Sequence, residues 1–225
     1  MGYSVVIPAK ANCLFISECL KSVFDQTLLP DAVKLIIDES DQNRNSATNL
    51  IKSQFPDIEI CISTRSGMIS ALNFGISLNN SEYISFLDSD DLWIENKQRD
   101  QIDELDRDQT IDVVTSNAKN FQMNPDQMGN TDRWVSACTF TSATFRKSAF
   151  DKYGLVDEKS THFTWLYRWW SNANNMGINR SHLNSPGLHR RIHSKNSWTL
   201  QNSTAHGELF SELRLIMNQR GQIQG

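Results

Sequence analysis

Residues 83–93 read Tyr-Ile-Ser-Phe-Leu-Asp-Ser-Asp-Asp-Leu-Trp. A short run rich in strand formers (Tyr83, Ile84, Phe86, Leu87) ends abruptly in Asp88, Asp90 and Asp91. Like charges at this spacing repel, so a buried strand that delivers three carboxylates to its end needs something to hold them. A divalent cation does so. Mg²⁺ or Mn²⁺ prefers hard oxygen ligands and takes one or two from protein, with others from a phosphate-bearing substrate. The competing reading is a polar strand end that opens a helix, with one Asp as its N-cap. The run alone leaves the two readings even.

The elements that must position these carboxylates alternate along the first half. Val5–Ile7 is an apolar strand stopped by Pro8. Ile16, Cys19, Leu20, Val23 and Phe24 recur at helical spacing, and Val33–Ile37 is a second strand that ends in Asp38-Glu39-Ser40-Asp41. A helix is expected around Ala47–Gln54, a strand at Ile58, Ile60 and Ile62, and a helix carrying Met68, Ile69, Leu72 and Ile76. After the Tyr83–Leu87 strand come a charged helix from about Ile94 to Leu105 and a strand at Ile111–Thr115. Strand–helix–strand repeats of this length predict an α/β fold with a mostly parallel central sheet flanked by helices. Ligands in such sheets bind beyond the carboxyl ends of the strands, where both acidic clusters fall.

Beyond residue 117 the pattern changes. Residues 120–133 read as a polar loop, Trp134–Phe145 as irregular or β, and Phe163–Met176 as an aromatic helix with Phe163, Leu166, Trp169, Trp170 and Ala173 on one stripe. That stripe reads as core rather than a stacking platform. His189–His193 is a basic strand candidate, and Leu209, Phe210, Leu213, Ile216 and Met217 form a last amphipathic stripe. The expected organisation is one domain over 1–225: a nucleotide-binding half (1–117), an irregular acceptor-side half (118–200), and a C-terminal helix and tail (201–225).

A chain of 225 residues with formal charge −4 is long enough for a sizeable core and argues against nucleic acid as its main partner. Its four cysteines form no CxxC and no paired framework, which suits a reducing compartment. No basic segment leads into a long apolar run near the start, and no apolar stretch reaches ~18 residues. The expectation is a cytoplasmic protein with no transmembrane segment, for which peripheral contact at the inner face of a membrane stays open.

The ordered motifs resemble the family 2 glycosyltransferases, which have a GT-A (Rossmann-like) fold. The matching pieces are Ser4–Pro8, Cys19–Gln26, Leu35–Ser40, Gly67–Ile76, Tyr83–Asp91, Phe145–Phe150, Tyr153–Glu158 and Arg190–His193. The resemblance implies an inverting, metal-dependent transfer of a sugar from a nucleotide diphosphate donor to an acceptor hydroxyl. A UDP-sugar is the favoured donor, and a glycan or lipid-linked glycan the acceptor, in glycan or polysaccharide biosynthesis. It assigns the Mn²⁺ or Mg²⁺ to Asp90, with Asp88 and Asp91 in support and His193 completing the shell. It assigns the nucleoside to Pro8, Ala9, Asp38 and Glu39, with Asp88 also near the ribose, and points to Asn73 and Arg191 on the donor side. Arg65 is a further candidate for the diphosphate, balanced by a surface role.

The chain departs from the family at two places. Asp38-Glu39-Ser40 stands where Asp-Asp-Gly-Ser is usual, and Ser160-Thr161-His162-Phe163 stands where an acidic base is usual. His162 can take the acceptor proton near neutral pH, with Asp157 as the other candidate base and Glu158 beside it. A different class of function, a catalytically silent donor-binding module of a glycan-assembly complex, keeps the aspartates and needs no base. A nucleotidyltransferase would want a Gly-rich loop after the first strand, and Lys10-Ala11-Asn12-Cys13 offers none.

Overall fold

The computed structural model describes residues 2–122, 134–161, 164–193, 207–208, 210–212 and 214. His162, Phe163, Trp198, most of the expected polar loop and most of the last amphipathic stripe lie outside the described residues. Of that stripe Phe210 is described, and it is exposed.

The chain runs β1 (Tyr3–Ala9), α1 (Ile16–Phe24), β2 (Ala32–Asp38), α2 (Arg44–Gln54), β3 (Glu59–Ser63), α3 (Met68–Ser77), β4 (Tyr83–Phe86), β5 (Leu92–Trp93) and α4 (Lys97–Arg107). It continues with β6 (Val113–Gln122), β7 (Val135–Ser136), a 3₁₀ turn (Phe140–Ser142), β8 (Ala143–Arg146), α5 (Ser148–Tyr153), α6 (Trp165–Asn175) and β9 (Arg180–Ile192). Among the described residues the strands form one sheet in the order β3-β2-β1-β4-β8-β6-β9-β5, with β7 beside β6. β3, β2, β1 and β4 are mutually parallel, and so are β6 and β9. β8 runs antiparallel to β4 and β6, and β5 antiparallel to β9.

Alternation along the strands divides the core. Tyr3, Val5 and Ile7 of β1 and Val33, Leu35 and Ile37 of β2 share a cluster with the α1 stripe Ile16, Cys19, Leu20 and Val23. Val6, Ile36, Ile84 and Phe86 point the other way, towards Ala71, Leu72 and Ile76 of α3. Helix and strand approach closely there, since a Cβ at Gly75 would collide with Val6. Phe86, Phe140, Phe145 and Phe150 meet Trp169 and Trp170 of α6, so the aromatic stripe is core, as expected. Its edge-to-face contacts fix ring orientation as well as burying area.

Two regions differ from the sequence expectation. The acceptor-side half supplies β7, β8 and β9 to the main sheet, and β6 crosses residue 117 and runs to Gln122, so Asn120–Gln122 is strand rather than loop. The β6–β9 ladder shifts register around Asn117, opposite Pro186 and Gly187, where a Cβ on Gly187 would collide with Ser116. A proline and a bulge in a polar strand hide its period. The other difference is α4. Its charged sequence suggests a surface helix, yet Lys97, Gln98 and Gln101 are fully buried. Their polar atoms meet β4 and β8: Ser85 Oγ donates to Gln98 Oε1 (3.1 Å), Thr144 Oγ1 to Gln101 Oε1 (2.7 Å), and Gln101 Nε2 to the Ser142 carbonyl (2.8 Å).

Burial drives the Lys97 amine well below its usual value. Its Nζ lies 2.9 Å from Gln101 Oε1 and 4.4 Å from the Trp93 ring centroid. A lysine held neutral in the fold and protonated in the unfolded chain makes the unfolded state bind more protons, so stability rises with pH up to the unfolded value near ~10.4. The slope is about 1.4 kcal/mol per pH unit. Lys97→Met leaves Gln101 Oε1 accepting from Thr144 and removes that slope. Urea unfolding at pH 7 and pH 9 is expected to show the wild type gaining more stability than the variant between the two. Equal gains would place a protonated lysine in the core.

Candidate functional site

β1, β2 and β4 end side by side. Pro8 and Ala9 pair with Ile36 and Ile37, and Asp38 pairs with Ser63, so the acidic turn after β2 adjoins the end of β1. The Leu87 amide extends the β1–β4 ladder by donating to the Val6 carbonyl (3.1 Å). The next residues close a tight turn in which the Asp91 amide donates to the Asp88 carbonyl (3.0 Å). That turn gathers Asp88, Asp90 and Asp91, with one ligand oxygen from each lying within 4.8 Å of the others.

β9 completes the site from the far side of the sheet. The Arg191 amide donates to Asp91 Oδ1 (2.8 Å), and His193 Nε2 lies 2.9 Å from Asp90 Oδ2. His193 also packs on Phe15, with ring centroids 5.0 Å apart. The Arg191 side chain is 3% exposed. Its Nε donates to the Asp90 carbonyl (2.8 Å), its Nη2 meets Glu18 Oε2 (2.7 Å), and its guanidinium lies over Phe15 and Phe121 at 4.3 and 4.7 Å. Arg191 thus braces the aspartate turn, and its buried guanidinium is committed to protein groups rather than presented to a diphosphate.

The electrostatics fit a cation. Burial, then Asp88 and Asp90, raise the Asp91 carboxyl well above the carboxylate range, against the Arg191 amide and Arg190. Asp88 is exposed, but the protein packed around its carboxyl, then Asp90, pushes it up to about 7, opposed by Arg190. The donor set of carboxylate oxygens with an adjoining imidazole suits Mg²⁺ or Mn²⁺. Asp90, Asp88, Asp91 and His193 are the residues that would hold it.

The other expected residues divide. Asp38 Oδ2 accepts from the Gly67 amide (3.1 Å), just ahead of α3, while Glu39 is exposed. Asn73 is buried, with Nδ2 donating to the Val156 carbonyl (2.8 Å) and Oδ1 accepting from the Val156 amide (3.0 Å). It fastens the chain at Val156. Asp157 Oδ1 accepts from the Lys159 amide (3.0 Å), and Oδ2 is 3.7 Å from Arg168, so this candidate base occupies a turn beside α6. His162, the other candidate base, lies outside the described residues.

Several structural members of the site carry no sequence signal of their own. Asp41 Oδ2 accepts from the Ala11 amide (2.8 Å) and ties the acidic turn to the β1–α1 loop. Glu18 and Phe15 meet Arg191 across more than 170 residues of chain. Cys13, half-buried, and Cys19, buried, aim Sγ at the carbonyls of Ser89 (3.4 Å) and Asp88 (3.5 Å), and burial raises the Cys19 thiol.

If Arg191 is a brace, its loss costs stability before it costs ligand. Breaking a buried pair costs ~3–5 kcal/mol, and exposure of Glu18 reduces that here. Arg191→Met is expected to lose about 2–3 kcal/mol in urea unfolding without any nucleotide present. Wild-type stability with selectively weakened nucleotide binding would return Arg191 to the diphosphate.

Residues 4–168 match the family model described as Glycosyl transferase family 2. The chain is 26% identical over 156 residues, 69% of its own length and 57% of the other's, to the UDP-Gal:alpha-D-GlcNAc-diphosphoundecaprenol beta-1,3-galactosyltransferase of Escherichia coli. It is 30% identical over 122 residues, 52% of this chain and 39% of the other, to the glycosyltransferase GlyG of Streptococcus pneumoniae. Among solved structures, S. aureus TarS 1-349 in complex with UDP superposes with a TM-score of 0.69 at 16% identity, over 96% of this chain and 64% of that one. The mannosyltransferase PcManGT of Pyrobaculum calidifontis, in complex with GDP-Man and Mn²⁺, superposes with a TM-score of 0.69 at 17% identity, over 94% and 63%. The chain therefore spans less than two thirds of the length of these proteins. The structural likeness carries the GT-A fold, and the match over most of the sequence carries the family: the chain belongs to glycosyl transferase family 2.

Proposed function

We propose that this chain moves a sugar from a nucleoside diphosphate donor to an acceptor hydroxyl with inversion, using Mn²⁺ or Mg²⁺ held at Asp88, Asp90 and Asp91. The observation that carries this reading is the convergence of three carboxylates within 4.8 Å beside the nucleoside-side turn, with His193 against Asp90. When bound, the cation offsets charge that develops on the leaving diphosphate. Asp38 accepts hydrogen bonds from the base or ribose, and Pro8 and Ala9 line the nucleoside from the end of β1. The named donors of E. coli galactosyltransferase and TarS favour uridine, while PcManGT carries GDP-Man. The acceptor is a glycan or lipid-linked glycan, reached at the cytoplasmic face of a membrane. Membrane contact on this reading is peripheral, and among the described residues no helix is long and apolar enough to cross a bilayer.

The proton acceptor is His162 or Asp157. A neutral imidazole accepts a proton near pH 7 without carboxylate assistance. Asp157 would have to leave its turn with Lys159 and its place near Arg168.

Calorimetry of UDP and GDP with and without Mn²⁺ tests the site. One nucleotide class is expected to bind, only with metal, and Asp90→Asn is expected to weaken it by about 100-fold. Equal binding without metal, or full binding by the variant, overturns the proposal. Turnover separates an enzyme from a silent donor-binding module. His162→Ala is expected to keep nucleotide affinity and to lose about 10²–10⁴-fold in donor consumption. A wild type that binds donor and never consumes it is the silent module.

A further inference from the structure

We propose that Arg65 and Glu158 form a latch beside the donor site, in which Glu158 and the diphosphate of an incoming nucleotide compete for one guanidinium. The inference rests on the donor-binding reading above.

Arg65 belongs to the short loop between β3 and α3, and that loop is stitched to the acidic turn. The Gly67 amide donates to Asp38 Oδ2 (3.1 Å), Ser40 and Ser66 share a hydroxyl hydrogen bond (3.0 Å), and Ser63 Oγ donates to the Arg65 carbonyl (2.7 Å). The Arg65 backbone is therefore fixed next to the residues expected to hold the nucleoside. Its side chain is 70% exposed and crosses to Glu158, placing Nη1 2.8 and 2.6 Å from the two carboxylate oxygens.

Glu158 stays in reach because of Asn73. The buried, two-way hydrogen bonding of that amide to Val156 anchors the chain two residues away. The anchor is strong and dry, whereas the ion pair is wet. Exposed pairs of this kind contribute little net stability, so a more highly charged partner displaces Glu158 cheaply. A diphosphate is such a partner, since guanidinium groups prefer phosphate oxygens in paired, charge-assisted hydrogen bonds.

Arg191 is buried against Glu18 and Asp90, whereas Arg190 is exposed and its charge acts on Asp88 and Asp91. Among the described residues beside the acidic turn, Arg65 is an exposed cation whose ion-pair partner is itself an exposed carboxylate. Glu158 then acts as an internal competitor that lowers donor affinity.

The test is calorimetric titration of the full chain with UDP or GDP, whichever the wild type binds, in the presence of Mn²⁺. Arg65→Ala is expected to weaken binding by about tenfold, the scale of one charge-assisted hydrogen bond. Glu158→Gln is expected to tighten it by about threefold, on the scale of a solvent-exposed ion pair. The double variant is expected to match Arg65→Ala alone, because without Arg65 there is nothing to release. Both side chains are exposed, and urea unfolding checks that all three variants fold. The latch is overturned if Glu158→Gln leaves affinity unchanged or weakens it, or if its gain survives in the Arg65→Ala background. A wild type that binds neither nucleotide with Mn²⁺ instead removes the donor reading, and the latch with it.

Discussion

The buried guanidinium of Arg191 touches three elements of the site at once: Phe15 and Glu18 at the start of α1, the Asp90 carbonyl in the aspartate turn, and Phe121 at the end of β6. Its own backbone amide holds Asp91. Three carboxylates at one strand end push apart, and the turn that carries them needs a scaffold that does not consume their oxygens. Arg191 supplies one by bonding to a backbone carbonyl and to a carboxylate outside the cluster. It leaves Asp88 exposed and Asp90 partly so while bracing the turn. Two residues on, just past the end of β9, His193 reaches Asp90. The end of this strand thus braces the turn and brings an imidazole to the aspartates.

This arrangement explains why the sheet must be mixed. The parallel strands β1, β2 and β4 bring the nucleoside turn and the aspartates to one edge, as parallel α/β sheets do. Parallel strands alone would leave the outer side of the aspartate turn unsupported. β8 and β6 extend the sheet past β4, and β9 then returns beside β6 with its C-terminal end at the turn. The cost appears beneath, where α4 packs glutamines and a lysine into the layer between β4 and β8. Most of those polar atoms are paired, but Gln98 Nε2 has no partner among the described residues. A fully apolar layer would hold the sheet more firmly. The polar one specifies register, because Ser85, Thr144 and Gln101 meet in one alignment only.

The parallel half was legible because its signals are local. Val5–Ile7, Val33–Ile37 and Tyr83–Leu87 are apolar runs with clear stops, and the helices between them carry clean stripes. The aspartates were legible because carboxylates at the end of a buried strand conflict with burial. The far half was not, for identifiable reasons. β8 spans four residues, β9 sets Leu183 alone among polar residues before its bulge at Pro186 and Gly187, and that bulge breaks the alternation that marks a strand. For Arg191 a cation beside acidic groups suits a phosphate contact or a brace, and its burial between two phenyl rings has no local signal. Asn73 is alike. Its neighbour Leu72 faces the core, and the amide turns to Val156, a contact 83 residues away that no local pattern announces.

The acceptor-side segment shows how one chain can mix fixed and exchangeable contacts. At Val156 the backbone is gripped by a buried amide that makes both of its hydrogen bonds to a single residue. Unsatisfied, each buried polar group would cost ~1–3 kcal/mol, so this point moves only with the fold. One residue on, Asp157 caps its own turn, and at Glu158 the contact is an ion pair between exposed side chains. Resistance to displacement therefore falls steeply over three positions. A hinge at the end of a rigid anchor needs no disordered loop to move, because rotation about side-chain bonds is enough to make or break the outermost contact. That gradient fixes the segment against α3 at Val156 while its last carboxylate makes a contact that is easily exchanged.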